Sequence, residues 1–171
     1  MMSGRTCWVA AAALVAAGLQ GCVMPQARPG KGDKLYDLTL LTLDGRRTSL
    51  LETTKGKIAV IKFGNTSCVW CTRQVPFLNQ LAAHHARDPV AVIDINLGEP
   101  PEVAAAYARK SGLAYTMLVD PRGTAAAIYE ISVIPVTIIA RPDRTIVYRG
   151  EYTTFEQMER VVAPLLAGPK P

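Results

Sequence analysis

The chain is short of the groups from which a metal centre or a cross-linked scaffold is built: 171 residues contain four cysteines and two histidines. Cys7 and Cys22 fall in or beside an N-terminal apolar stretch, so only Cys68 and Cys71 belong to the folded body. Two cysteines three positions apart cannot staple distant segments. They form a local, reversible bridge or half of a metal site. A structural zinc site wants four ligands, commonly from a second C-x-x-C or a spaced histidine pair. His84 and His85 are adjacent and are not expected to face one point on a helix, so no metal ligands are assigned. A permanent structural disulfide is also disfavoured, because so small a loop adds little stability.

Runs of like charge are missing too. The 19 basic and 14 acidic residues are interspersed, with no basic, aromatic-interleaved patch, so nucleic acid is not an expected partner. There is no internal repeat, no low-complexity tract and no second long apolar segment that would span a membrane.

What is present begins with an address. Residues 1–6 carry Arg5, and an apolar stretch runs from Cys7 to Leu19. This is the charged-then-apolar order of a secretory signal, too short for a comfortable transmembrane helix. It ends in Leu19-Gln20-Gly21-Cys22, which resembles the bacterial lipobox and implies cleavage before Cys22 and lipidation of that residue. Gln20 is bulkier and more polar than the usual residue there; simple cleavage and an uncleaved anchor are the alternatives. Residues 1–21 are therefore read as a lipoprotein signal peptide and 22–34, rich in Pro, Gly and Lys, as a tether. Residues 35–167 form one domain and 168–171 a tail. Val23 stands where an aspartate retains many lipoproteins at the inner membrane, which points to the outer one.

Within the domain, residues 36–40 alternate, Asp44-Gly45 supplies a turn and 46–50 return, giving a hairpin. Residues 57–63 and 90–95 are apolar, β-branched runs that read as buried central strands. A helix is expected over 69–87, with Val75, Leu78, Leu81 and Ala82 on one face and Pro76 inside it. Pro100-Pro101 open a second helix that Gly112 ends. A turn at 120–123 leads into a short helix over 124–129. Strands at 135–140 and 145–149 form a hairpin, and a last helix occupies 153–166. The order implies an α/β domain whose mixed central sheet has helices on both faces.

Cys68 lies where a buried strand gives way to a helix. Free N–H groups and the helix dipole favour a thiolate there, and the thiolate is the attacking species in disulfide exchange. Cys71, one turn on, is placed to attack the resulting mixed disulfide. The pair is its own redox group, and no other cofactor is implied.

Phe63, the Cys68-Val69-Trp70-Cys71 motif five residues later, Pro76 and the downstream Ile134-Pro135-Val136-Thr137 resemble the thioredoxin superfamily. Gly56-Lys57-Ile58, the stretch at 118–123 and Ile146-Val147-Tyr148-Arg149-Gly150 are similar to its exported TlpA/ResA-like branch, over about residues 35–166. The resemblance implies a thioredoxin-like fold with an extra N-terminal hairpin. It also implies a cis peptide before Pro135 beside the dithiol, with the Ile134 backbone pairing with substrate. Taken alone, an X–Pro bond is far more often trans. Trp70 is either an apolar lip that contacts substrate or surface packing.

The chain departs from that pattern at two places. Lys62 stands where relatives often carry an acid or amide, and Gln74 where many carry an acid. Lys62 either serves the resolving thiol's proton or snorkels to the surface. His84, His85, Asp94 and Asn96 receive no role, the histidines being read as solvated helix residues.

The function expected is thiol–disulfide exchange on cysteine-containing exported proteins, with Cys68 as nucleophile and Cys71 as resolving thiol. A reducing direction is favoured, with apocytochrome c among the clients the resemblance suggests. Cys22 would tether the domain at the periplasmic side of the cell envelope, near a membrane thiol electron donor. The alternative is copper delivery of the SCO kind, for which the cysteine spacing is one residue too short. A peroxidase reading needs threonine three residues before the reactive cysteine, and position 65 is Asn.

Overall fold

The computed structural model describes residues 28–168. The signal-peptide and Cys22 assignments, and the last three residues of the tail, lie outside it. Two strands open the domain, β1 (Thr39–Thr42) and β2 (Arg47–Ser49), followed by a short helix α1 (Leu50–Thr54). Asp44-Gly45 does make the turn, with Gly45 at φ +82° and its N–H on the Thr42 carbonyl. The strands are shorter than the alternation suggests, because Leu50 already belongs to α1. Ser49 caps that helix, its hydroxyl accepting from the Glu52 N–H, as serine does at a helix start.

The remaining elements are β3 (Ile58–Gly64), α2 (Val69–His84), β4 (Val90–Leu97), α3 (Pro101–Lys110), β5 (Thr116–Asp120), α4 (Thr124–Ile128), β6 (Val136–Ala140), β7 (Ile146–Gly150) and α5 (Phe155–Leu166). The seven strands form one sheet in the order β2-β1-β5-β4-β3-β6-β7. β3, β4 and β5 are mutually parallel, and every other pairing is antiparallel. The sheet is mixed, as the element order implied.

Side chains alternate along β3 and divide the core in two. Ala59, Ile61 and Phe63 pack with Leu40, Leu50, Ile95, Ile138 and Tyr129 on the side of α1 and α4. Ile58 and Val60 pack on the other side with Leu78 and Leu81 of α2 and Met158 and Val162 of α5. α3 covers Met117 and Val119 of β5 through Ala104. β3 is buried along its whole length, so whatever it carries to its C-terminal end arrives in a water-poor place.

The segment before β1 is part of this body from residue 29 onward. Gly32 donates to Ile146 O, Lys34 bridges to Thr145, and Arg149 Nη1 donates to Pro29 O. Pro and Gly in this stretch describe an extended strap along β7 rather than a free linker.

Candidate functional site

β3 ends at Gly64, the loop Asn65-Thr66-Ser67 follows, and α2 starts at Val69 with Cys68 as its N-cap. Glu99, two residues past the end of β4, fixes that loop. Its carboxylate accepts from Thr66 N (2.9 Å), Thr66 Oγ1 (2.6 Å) and Asn96 Nδ2 (2.6 Å). Burial pushes the Glu99 carboxyl up, these three donors outweigh it, and the net shift is downward, so the group is an anion that holds the loop. Sequence reading passed over Glu99, whose only signal was a position just past a buried strand.

Cys68 and Cys71 are joined as a disulfide, with Cα atoms 5.2 Å apart. Cys68 is half-buried and Cys71 fully buried. The Cys71 N–H points at Cys68 Sγ (3.1 Å). That donor is one of the orphan N–H groups of the helix start, and it sets a partial positive charge against Cys68 Sγ. The two sulfurs therefore differ in access, Cys68 being the more open and Cys71 enclosed.

The Ile134–Pro135 peptide is cis, and the Ile134 carbonyl oxygen lies 3.8 Å from Cys68 Sγ. Pro135 is buried and Ile134 partly open, so a backbone carbonyl is presented beside the reactive sulfur. Val69, Trp70 and Val133 are 62, 53 and 47 % exposed. The Trp70 ring meets Tyr152 edge-on at 5.3 Å, and the Arg73 guanidinium lies 4.7 Å over it. Trp70 is thus held at the surface between Tyr152 and Arg73. Tyr152 belongs to this rim and was not foreseen, since it comes from the segment before α5.

Beneath the disulfide the core turns polar. Lys62 of β3 lies level with Asp94 of β4 on one side and Thr137 of β6 on the other, so all three project from the same face. Lys62 Nζ and Asp94 Oδ2 are 2.6 Å apart, both side chains 1 % exposed. Lys62 therefore does not snorkel: β3 is flanked on both edges, and no route from its centre reaches water. Asp94 and Asn96, near the end of β4, are likewise buried. Gln74, from the second turn of α2, donates to Thr137 Oγ1 (2.8 Å).

Gly64 shows how closely this layer approaches the disulfide. A methyl group built on Gly64 would lie 2.7 Å from Cys71 Sγ and 3.2 Å from Lys62 Nζ. The Cys71 sulfur and the buried amine flank the same small space. Sequence reading did not find this glycine, because nothing in a strand's own residues shows what approaches it.

His84 and His85 need two corrections. His85 is buried, with Nδ1 2.8 Å from Asp88 Oδ2 and Nε2 2.7 Å from Glu159 Oε2. The two rings also share Glu159, since His84 Nε2 lies 3.8 Å from its other oxygen. Adjacency did not forbid this: His85 is the C-cap at φ −101°, ψ 27°, outside the helical repeat. They sit at the far end of the 16-residue α2, about 22 Å from its start at 1.5 Å per residue. A thiol–histidine copper site of the SCO kind is not assembled by these residues.

A model of the AhpC/TSA family matches residues 31–149. Thiol-disulfide oxidoreductase ResA of Geobacillus thermodenitrificans is 27 % identical over 108 residues, 63 % of this chain and 62 % of that protein. The match thus spans less than two thirds of that relative's length. The solved thioredoxin domain of a thiol-disulfide oxidoreductase from Bacteroides vulgatus has a TM-score of 0.70 at 18 % identity, covering 77 % of this chain and 97 % of that one. A thiol:disulfide interchange protein from a Bacteroides species gives 0.73 at 17 % identity, covering 84 and 95 %. The fold is thioredoxin-like, with the N-terminal hairpin β1–β2 added to the sheet.

Proposed function

The chain belongs to the AhpC/TSA family, and from that premise we propose that it is a thiol–disulfide oxidoreductase of the ResA kind, acting on cysteine-containing exported proteins. The observation that carries the proposal is the unequal pair at the start of α2: Cys68 reachable and facing a helix N–H, Cys71 buried behind it.

The reduced enzyme begins with the Cys68 thiolate. Its electron pair attacks one sulfur of a substrate disulfide, the substrate S–S bond breaks, and the departing sulfur takes a proton from solvent. Cys71, as thiolate, then attacks Cys68 Sγ. The mixed disulfide breaks, the second substrate sulfur leaves and is protonated, and the enzyme holds Cys68–Cys71. Two electrons pass to the substrate, and a membrane thiol donor restores the dithiol. A substrate backbone laid along the partly open Ile134 edge, against Val133 and Trp70, would set its sulfur at Cys68.

The residues before 28 supply the rest of the proposal. A signal peptide and a lipid on Cys22 would hold the domain at the periplasmic side of an envelope membrane, the outer one favoured by Val23. A reducing role suits an anchored protein close to a membrane electron source. Apocytochrome c is one client class of suitable chemistry.

Insulin reduction by dithiothreitol tests the exchange reading. The full chain should accelerate precipitation of the insulin B chain. Cys68→Ser should lose the effect entirely, and Cys71→Ser should accumulate a mixed disulfide with insulin. An unmodified chain that leaves the rate at the uncatalysed level would overturn the proposal.

A further inference from the structure

Both ring nitrogens of the buried His85 face carboxylate oxygens, Nδ1 that of Asp88 at 2.8 Å and Nε2 that of Glu159 at 2.7 Å. A neutral imidazole has one N–H donor and one lone pair. With the proton on Nδ1 toward Asp88, the Nε2 lone pair points at an anionic oxygen, and a positive charge has to stand between them. A proton would satisfy that contact alone. It gives no reason for His84, whose Nε2 lies 3.8 Å from the other oxygen of the same carboxylate. The His84 ring is held on that side by edge-on contacts with His85 at 4.8 Å and Phe155 at 5.8 Å. One ligand atom from each of His84, His85 and Glu159 lies within 4.8 Å of the others, so two imidazoles and a carboxylate converge.

We propose that His84, His85 and Glu159 bind one divalent cation of the zinc class, which fastens the far end of α2 to α5. The site uses no thiol, is remote from the dithiol and does not depend on the exchange reading above.

The donor set is selective. Imidazole nitrogen suits zinc and its transition-metal neighbours, whereas magnesium and calcium take oxygen ligands. Two imidazoles, a carboxylate and a water in the fourth position make a tetrahedral set that zinc accepts. The water side is that of His84, whose side chain is 58 % exposed against 5 % for His85 and 25 % for Glu159. Asp88 has a part although it touches no metal. It accepts the Nδ1 proton of His85 and so presents Nε2 as the ligand, as an outer carboxylate does when it fixes the tautomer and ring orientation of a metal-bound histidine. Zinc–ligand distances put the ligand atoms of a tetrahedral site about 3.3 Å apart. The 2.7 Å His85–Glu159 contact thus opens by about 0.6 Å on binding, and the exposed His84 swings in. The metal then joins consecutive residues at the end of α2 to the first half of α5.

Titration of zinc into the full, tag-free chain tests the site. The protein is kept oxidised, so that Cys68 and Cys71 stay joined, and its other cysteines are alkylated, so that no thiolate competes for the metal. Calorimetry should show one saturable equivalent, which about a hundredfold excess of magnesium or calcium fails to displace. Zinc binds the folded form and should therefore raise the thermal midpoint. His84→Ala removes an exposed ligand, so its metal-free midpoint should stay close to that of the unmodified chain while the zinc-dependent rise disappears. Asp88→Ala, which removes no ligand, should weaken zinc binding about 10–100-fold, and His84→Ala at least as much. Absence of a saturable equivalent, or an affinity and midpoint rise that survive His84→Ala, would overturn the site.

Discussion

Gly64 illustrates how much can depend on a side chain that is not there. Its neighbours on β3 are buried and apolar or paired, and the space where its Cβ would lie is already bounded by the Cys71 sulfur at 2.7 Å. That sulfur is tied to Cys68 and cannot swing aside as the end of a long side chain would. Gly64→Ala should therefore lower the thermal midpoint, at a cost of about 1–3 kcal/mol by overpacking, and should slow insulin reduction. Calorimetry and the turbidity assay check both; an unaltered midpoint would mean the layer beneath the disulfide is looser than described. At this scale the sequence was partly legible. Cys68 and Cys71 announce themselves, because reactivity resides in the side chain and its spacing. Lys62 does not. Its partner is 32 residues away on β4, and whether a lysine in an apolar run is buried depends on which strands flank it.

Among the elements, long periodic segments were the easiest to read. β3, α2, β4 and α3 lie within a few residues of where apolar spacing, paired prolines and Gly112 put them. Two elements were missed. β5 offers only Met117-Leu118-Val119 as an apolar core, too short to stand out, yet it joins the N-terminal hairpin to the rest of the sheet. α1 is a five-residue helix packed through Leu50, stabilised by that contact and not by any helical period. α2 also ends differently from expectation, at His84 and not 87, and His85 there fastens it to α5. Burial pushes the His85 pKa down, the Asp88 and Glu159 carboxylates push it up more strongly, and the net shift is upward. The stabilisation from this clamp is thus complete below the unfolded value of about 6.5 and is lost as pH rises through the folded one. The gap in thermal midpoint between the unmodified chain and Glu159→Gln should be wider at pH 6 than at pH 9. A gap independent of pH would mean that His85 is neutral throughout.

For the whole molecule, the sheet order decides where chemistry can occur. β3 lies inside the sheet, next to the central β4 and flanked on its other edge by β6. Its C-terminal end brings together the start of α2, the Ile134-Pro135 turn before β6, and Glu99 beyond β4. The reactive pair thus stands on three supports drawn from residues 60–140, with the apolar Trp70–Val133 rim facing outward. Among the described residues no helix is long and apolar enough to cross a membrane. The mixed sheet and its two-sided helices followed from element order, because strand–helix–strand units leave few ways to connect. The strap of residues 29–34 along β7 did not, since Pro and Gly look alike in a linker and in an extended edge segment.

The equilibrium of the Cys68–Cys71 pair with glutathione is the most direct measurement. It would be read on the full chain by alkylating free thiols and quantifying the peptide that contains both cysteines. A reductant of exported proteins should show one reversible two-electron transition at a reducing potential, roughly −270 mV as for thioredoxin. A transition near roughly −120 mV would contradict the reducing direction, and a disulfide that does not exchange at all would contradict the oxidoreductase assignment itself.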